Sequence, residues 1–212
     1  MKLMNNEKKR FFEELMERNY KPLDSILPET TVSIAGCGGL GSNVAAALTR
    51  AGIGKLIIAD FDIVVMSNLN RQFFFVENLN KPKVDALEKN LKMINPFIEI
   101  VKHNIKITPD NAFEILQSQI IVEAFDQVSE KTMLLNTFLE KNDKSKYLVT
   151  ASGMGGINSS NLIMTKLFGD NVFLCGDFIN DSSQGLMSPR VNIAAAHEAN
   201  MVLKIIANNL TP

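Results

Sequence analysis

The sequence predicts an α/β fold with a mostly parallel sheet, and three observations carry that expectation. The run Lys55-Leu-Ile-Ile-Ala-Asp60 is almost continuously apolar, as in a strand covered on both faces. A helical pattern separates it from an earlier β-prone run, Thr31-Val-Ser-Ile-Ala35, and strand–helix–strand order within one sheet gives parallel pairing. Between them lies a glycine loop, Gly36-Cys-Gly-Gly-Leu-Gly41, in which Gly36, Gly38 and Gly41 fit G-x-G-x-x-G.

Composition bounds what such a fold can do. The 212 residues suit one unit spanning 1–212, with 46% hydrophobic and 21% charged residues supporting a full core. A formal net charge of −1 supplies no basic excess to neutralise a nucleic-acid backbone, so nucleic acid is not expected as a partner. The first twenty residues carry Lys8, Lys9, Arg10, Glu13, Glu14, Glu17 and Arg18, and no later run reaches transmembrane length. No membrane association and a cytoplasmic location are expected. Cys37 and Cys175 give no disulfide framework, and with His103 and His197 they lack the close spacing of a zinc site.

Taken in order, residues 5–20 read as an amphipathic helix with Phe11, Phe12, Leu15 and Met16 on one stripe. This helix opens an N-terminal arm over 1–28 that either docks on the body or packs on a second subunit. After the glycine loop a helix is expected from Val44 to Ala51, stopped at Gly52. Pro82 suits the first turn of the next helix, whose apolar face is Val84, Leu87, Leu91 and Ile94. Ile98–Lys102 alternates like a strand, Pro109–Leu116 reads as a short helix, and Ile120–Ala124 as a buried strand. A helix over Val128–Glu140 and a strand over Tyr147–Thr150 follow. Residues 157–174 alternate as an antiparallel extension would, Asn180–Gly185 reads as a flexible loop, and Val191–Asn208 as a closing helix. The architecture expected is a Rossmann-like sheet, mostly parallel with an antiparallel extension, with helices on both faces.

The candidate site residues gather where parallel strands end. Gly36 takes the sharp turn, Gly38 lets a diphosphate approach the main chain, and Gly41 lets helix and strand pack closely. Asp60 ends the second strand, where an acidic side chain accepts hydrogen bonds from an adenosine ribose. Asn68, Arg71 and Gln72 follow just beyond it, Lys83 opens a helix, and Asp126 ends another strand. A dinucleotide oxidoreductase needs the glycine loop and Asp60 but no pair of cations around the phosphates. A triphosphate under attack does need them, because charge builds on the leaving diphosphate. Asp126 would then hold magnesium through an oxygen.

The text Gly36-Cys-Gly-Gly-Leu-Gly41, Asp60-Phe-Asp62, Ser67-Asn-Leu-Asn-Arg-Gln72, Lys81-Pro-Lys-Val84, Ile94-Asn-Pro96, Glu123-Ala-Phe-Asp126 and Gly185-Leu-Met-Ser-Pro-Arg190 resembles the ThiF/MoeB/HesA family, bacterial relatives of ubiquitin-activating enzymes. The resemblance spans roughly residues 30–208, and Ser152-Gly-Met154 with Ala194-Ala-Ala-His197 resembles the compact ThiF branch. It implies ATP-dependent adenylation of the C-terminal Gly-Gly carboxylate of a small sulfur-carrier protein, ThiS in that branch, within thiamine biosynthesis. It implies that Gly36, Gly38, Gly39 and Gly41 line the nucleotide, Asp60 takes the ribose, and Asn68 and Arg71 orient the phosphates. Lys83 would stabilise the transition state and Asp126 ligate magnesium. Asp62 and Gln72 join the nucleotide set, with structural loop roles an equal alternative.

The chain also departs from its larger relatives. Two C-x-x-C pairs for zinc are missing, and so is an N-terminal arginine segment that reaches across a dimer, a place Arg10 or Arg18 would have to fill. Cys175 lies near the region of a covalent cysteine but without a motif, and reads as a buried structural thiol. A homodimer is implied by the resemblance and by the apolar N-terminal stripe. The competing readings are an NAD-dependent oxidoreductase and a non-catalytic nucleotide-binding interaction module.

Overall fold

The computed structural model describes residues 2–208; residue 1 and residues 209–212, the ends of the expected 1–212 unit, lie outside them. Its strands are β1 (Thr31–Ala35), β2 (Lys55–Ala59), β3 (Glu99–His103), β4 (Ile120–Glu123), β5 (Tyr147–Ala151), β6 (Met164–Phe168) and β7 (Val172–Gly176). They form one seven-stranded sheet in the order β3-β2-β1-β4-β5-β7-β6. Every neighbouring pair is parallel except β6 with β7, the antiparallel extension. The helices are α1 (Lys2–Leu15), α2 (Gly39–Ala51), α3 (Lys83–Ile94), α4 (Ala112–Ile115), α5 (Val128–Lys141) and α6 (Ser188–Asn208).

Two apolar clusters explain why the central strands read as apolar runs. One packs Ile34 and Val122 of the sheet against Leu48 of α2, Leu87 of α3 and Val202 of α6. The other packs Ala35 and Ile121, their neighbours along the strands, against Ile115 of α4 and Leu134 and Phe138 of α5. Alternate side chains therefore meet helices on opposite faces, and both kinds must be apolar. The helices lie on both faces, as expected.

Local hydrogen bonds shift several boundaries. α1 ends at Leu15 rather than continuing to residue 20, because the chain turns back and the Asn19 side chain donates to Ala51 O at 2.7 Å. Phe12 and Met16 are buried in the first cluster, so the described part of the arm docks on the body. Its landing point is Gly52, the left-handed cap of α2 at φ +101°, where a Cβ would lie 2.6 Å from Met16 Sδ. α2 begins at Gly39 rather than Val44, with Gly38 as its N-cap. α4 is shorter than Pro109–Leu116, since Asn111 Oδ1 accepts from Thr108 N and holds the segment before it in a turn. α6 starts earlier, at Ser188, with Pro189 in its first turn.

The topology fixes where a ligand can bind. From β1 the chain winds out through β2 to β3, then returns to the other side of β1 as β4. The carboxyl ends of β1 and β4 flank a cleft at this reversal, the place where open α/β sheets bind ligands. No helix among the described residues is long and apolar enough to cross a membrane.

α6 also buries a carboxyl. Glu198 is fully buried, neither of its oxygens has a hydrogen-bond partner among the described residues, and burial pushes its pKa well above the ordinary value of 4.5. The native state thus keeps a proton that the unfolded chain releases, and stability should fall as pH rises from about 4.5 through the native value. Glu198→Gln should flatten that slope when unfolding free energy is measured by urea titration between about pH 5 and pH 8. An unchanged slope would show that Glu198 does not hold its proton in the native state.

Candidate functional site

The glycine loop is shaped by close backbone approaches. Gly36 has φ +96°, and a Cβ on it would stand 2.8 Å from Ala124 O, at the end of β4. A Cβ on Gly41 would stand 1.9 Å from Gly36 O, so the first turn of α2 lies directly against the end of β1. The N-terminus of α2, with unpaired backbone N–H groups and positive dipole end, is thereby aimed at the cleft. Ser42 Oγ donates to Gly38 O at 2.6 Å and accepts from Phe73 N at 2.9 Å, and the Asn43 side chain donates to Gly39 O and Arg71 O. These bonds tie the loop to residues 71–73.

Asp60 follows β2 with its carboxylate largely buried. One oxygen accepts from the N–H of Cys37 in the glycine loop at 2.6 Å, the other from Asp62 N at 2.8 Å. Burial raises its pKa, and the nearby Lys83 ammonium pulls it back. Lys83, the first residue of α3, is also buried: its ammonium lies 2.7 Å from Asp62 Oδ2 and 3.9 Å from Asp60 Oδ2. A cation at a helix N-terminus opposes the helix dipole, and these carboxylates supply the anions that offset it. Backbone pairing of Val64 with Lys81 and of Lys83 with Asp62 holds the two segments in register.

Arg71 donates to Ser67 O at 3.1 Å and Asn70 Oδ1 at 2.9 Å, and its stem passes Gly39, whose added Cβ would lie 3.6 Å from Nε. Gln72 is buried, and its Oε1 has no partner among the described residues. Asn68 is buried as well, but its Oδ1 accepts from Val65 N at 3.0 Å and it closes a turn.

A cavity of about 360 Å³ collects most of these groups. Gly36, Gly38, Gly39, Asp60, Asp62, Arg71, Gln72, Lys83 and Asp126 all line it. Gly41 and Asn68 do not; they shape the loops from behind. Asp126 is exposed, on a loop that Glu123 organises from below by accepting from Phe125 N and Thr150 Oγ1 and pairing with Lys131 at 3.1 Å. Among the described residues no group of three or more His, Cys, Asp or Glu side chains is placed to hold a metal. A lone carboxylate fits magnesium only where phosphate oxygens and water complete the octahedron.

Two parts of the cavity escaped sequence reasoning. Phe61, Ile105, Ile107 and Val128 give one end an apolar lining, bounded by Lys106, which pairs with Glu130 at 2.9 Å and lies 5.5 Å from the Phe61 ring centroid. Their position just beyond strand ends was the available signal. The other end is lined by residues 152–154 and 180–182. Asn180 is buried and the Asp181 side chain caps Ser183, so the segment read as a flexible loop is anchored at its start. Cys37 and Cys175 are both fully buried; burial beside Glu198 pushes the Cys175 thiol up to about 12, so it stays protonated near neutral pH.

The model of the ThiF family matches residues 15–210. The chain is similar to the adenylyltransferase and sulfurtransferase MOCS3 of Aedes aegypti, with 37% identity over 136 residues, which is 63% of this chain and 31% of that protein. It is similar to ubiquitin-like modifier-activating enzyme 5 of Drosophila willistoni, with 45% identity over 86 residues, 41% of this chain and 21% of that protein. The chain thus spans less than a third of the length of either relative. Its fold is similar to that of the E. coli tRNA N6-threonylcarbamoyladenosine dehydratase TcdA in complex with ATP, with a TM-score of 0.82, 20% identity and coverage of 93% and 94% of the two chains. It is also similar to E. coli MccB with ATP, with a TM-score of 0.67, 23% identity and coverage of 86% and 56%.

Gly36 offers a direct test of the loop geometry. Gly36→Ala would place a side chain in a left-handed turn against the Ala124 carbonyl, and should destabilise the fold by about 1–3 kcal/mol in thermal unfolding. A neutral substitution would mean that the loop does not need this close approach.

Proposed function

The chain belongs to the ThiF family, and we propose that it is an adenylyltransferase acting on a small ubiquitin-like protein. The proposed substrate is the C-terminal Gly-Gly carboxylate of a sulfur carrier of the ThiS type, and the proposed pathway is thiamine biosynthesis. One observation carries the reading: the glycine loop, the Asp60 carboxylate, the cations Arg71 and Lys83, and the exposed carboxylate Asp126 line a single cavity. The names of the MOCS3 and modifier-activating relatives support the reaction class, and the ATP complexes of the fold neighbours agree with the nucleotide.

In this reaction an oxygen of the carrier's carboxylate attacks the α-phosphorus of ATP. The bond from that phosphorus to the oxygen bridging to the β-phosphate breaks, giving an acyl-adenylate and pyrophosphate. A terminal carboxylate, with a pKa near ~3.5, is already ionised at neutral pH, so the site needs no general base. The obstacle is to bring one anion in line with another, which positioning and cations overcome. Asp60 would accept from the ribose hydroxyls, and Gly36, Gly38 and Gly39 would leave room for the phosphates, while Gly41 holds α2 behind them. Arg71 and Gln72 face the same space, and Asn68 fixes the turn that carries them. Lys83 is held by a buried Asp60 and an exposed Asp62; the exposed contact is the cheaper one to exchange for a phosphate oxygen. Asp126 would hold magnesium, which neutralises charge on the departing pyrophosphate.

A homodimer and a cytoplasmic location belong to the same proposal, and sedimentation showing only monomer at micromolar concentration would count against the dimer. Purified protein with magnesium, ATP and a carrier ending in Gly-Gly should exchange labelled pyrophosphate into ATP. No exchange across a panel of such carriers would overturn the reading. Lys83→Ala should lower the exchange rate about 10²–10³-fold while circular dichroism shows an intact fold; a near-normal rate would remove Lys83 from this role.

A further inference from the structure

Part of the cavity wall comes from two loops, residues 152–156 after β5 and residues 177–186 after β7, through Ser152, Gly153, Met154, Asn180, Asp181, Ser182 and Leu186. Glycines let them touch. A Cβ on Gly155 would lie 1.7 Å from Asp181 O, and one on Gly176 would lie 1.7 Å from Ser152 O. Backbone bonds zip the loops together, from Asp177 N to Gly153 O at 2.9 Å and from Gly155 N to Asn180 O at 3.1 Å.

A buried charge knot sits at the base of this wall. Asp177 Oδ1 accepts from the N–H groups of Ile179 and Asn180 at 2.9 Å each, while Oδ2 accepts from the Asn180 side chain and from Arg190 Nη2 at 2.5 Å. Arg190, in the first turn of α6 and 4% exposed, also donates through Nη1 to the carbonyls of Asn158 and Ser159. One planar guanidinium thus joins the chain after β5, the chain after β7 and α6. Phe178 is held at φ +62°, a left-handed conformation that a bulky residue adopts only when its surroundings impose it.

A buried ion pair adds little stability over an apolar pair of similar size, so its value here lies in geometry. Neither Asp177 nor Arg190 lines the cavity, whereas the loops they tie contribute Ser152, Met154, Asn180 and Asp181 to it. A polypeptide tail ending in two glycines offers no side chains to grip, and its path is set by the walls around it. We infer that Arg190, acting through Asp177, is a positioning residue for the polypeptide substrate: it fixes the slot through which the carrier's extended tail reaches the α-phosphate. The inference rests on the adenylation proposed above.

The test compares wild type with Arg190→Lys, which keeps the charge but replaces the planar two-nitrogen fork with a single ammonium nitrogen, and with Gly155→Ala, which wedges the same loops apart without touching a charge. Pyrophosphate exchange is measured against carrier and ATP concentrations separately. Both variants should raise the KM for carrier about tenfold or more with the KM for ATP near wild type, in assays held well below the melting temperature of each variant. An unchanged carrier KM, or equal losses for ATP and carrier, would overturn the inference. If Arg190→Lys fails to fold, Gly155→Ala decides alone. Absence of exchange in wild type would instead overturn the adenylation reading. Amide hydrogen exchange of residues 152–156 in Arg190→Lys, read without carrier, then tests the tie itself: faster exchange supports it and unchanged exchange overturns it.

Discussion

The site depends on one close approach, the first turn of α2 against the end of β1. Gly41 has no side chain, and the backbone of α2 can therefore reach the Gly36 carbonyl. Gly36 in turn bends toward the end of β4 in a conformation that costs other residues strain. The helix N-terminus then opens onto the reversal point of the sheet. Asp60 completes the arrangement by accepting from Cys37 N, so this carboxylate and the glycine loop hold each other in place. A volume increase at any of these contacts moves both together.

The charges around the cavity follow from the same geometry. Lys83 is buried, and a buried ammonium survives only beside carboxylates; Asp60 and Asp62 provide them. Asp60 carries the cost of its own burial and is relieved by Lys83. The Lys83 charge is thus balanced by protein carboxylates, with Asp62 as the exposed partner. Such a site suits chemistry in which the attacking group is already ionised and charge on the leaving group is the problem.

Much of this was legible in the sequence because it is local. The central strands announced themselves as apolar runs and the outer ones by alternation, the glycine loop as a spacing, and Asp60, Lys83 and Asp126 by their places at element ends. What failed was long-range. The N-terminal helix stopped early because Asn19 found a carbonyl on α2. Asn68 read as a ligand-facing amide, yet its oxygen closes a turn and it lies outside the cavity lining. The wall formed by residues 152–156 and 177–186 gave only a few glycines and polar residues in the sequence; the Asp177–Arg190 pair that organises it joins two segments across the fold. Burial decides such cases, and no single-sequence pattern reports it.

The reaction proposed for this cavity is transfer of the nucleotidyl group of ATP to a polypeptide carboxylate. The most direct measurement follows two labels, one in the α-phosphate and one in the γ-phosphate of ATP, during incubation with magnesium and a Gly-Gly-ending carrier. The α-label should appear on the carrier in a bond that hydroxylamine cleaves, while the γ-label leaves with pyrophosphate. A γ-label on the carrier, or no α-label on any such carrier while ATP binds, would contradict it.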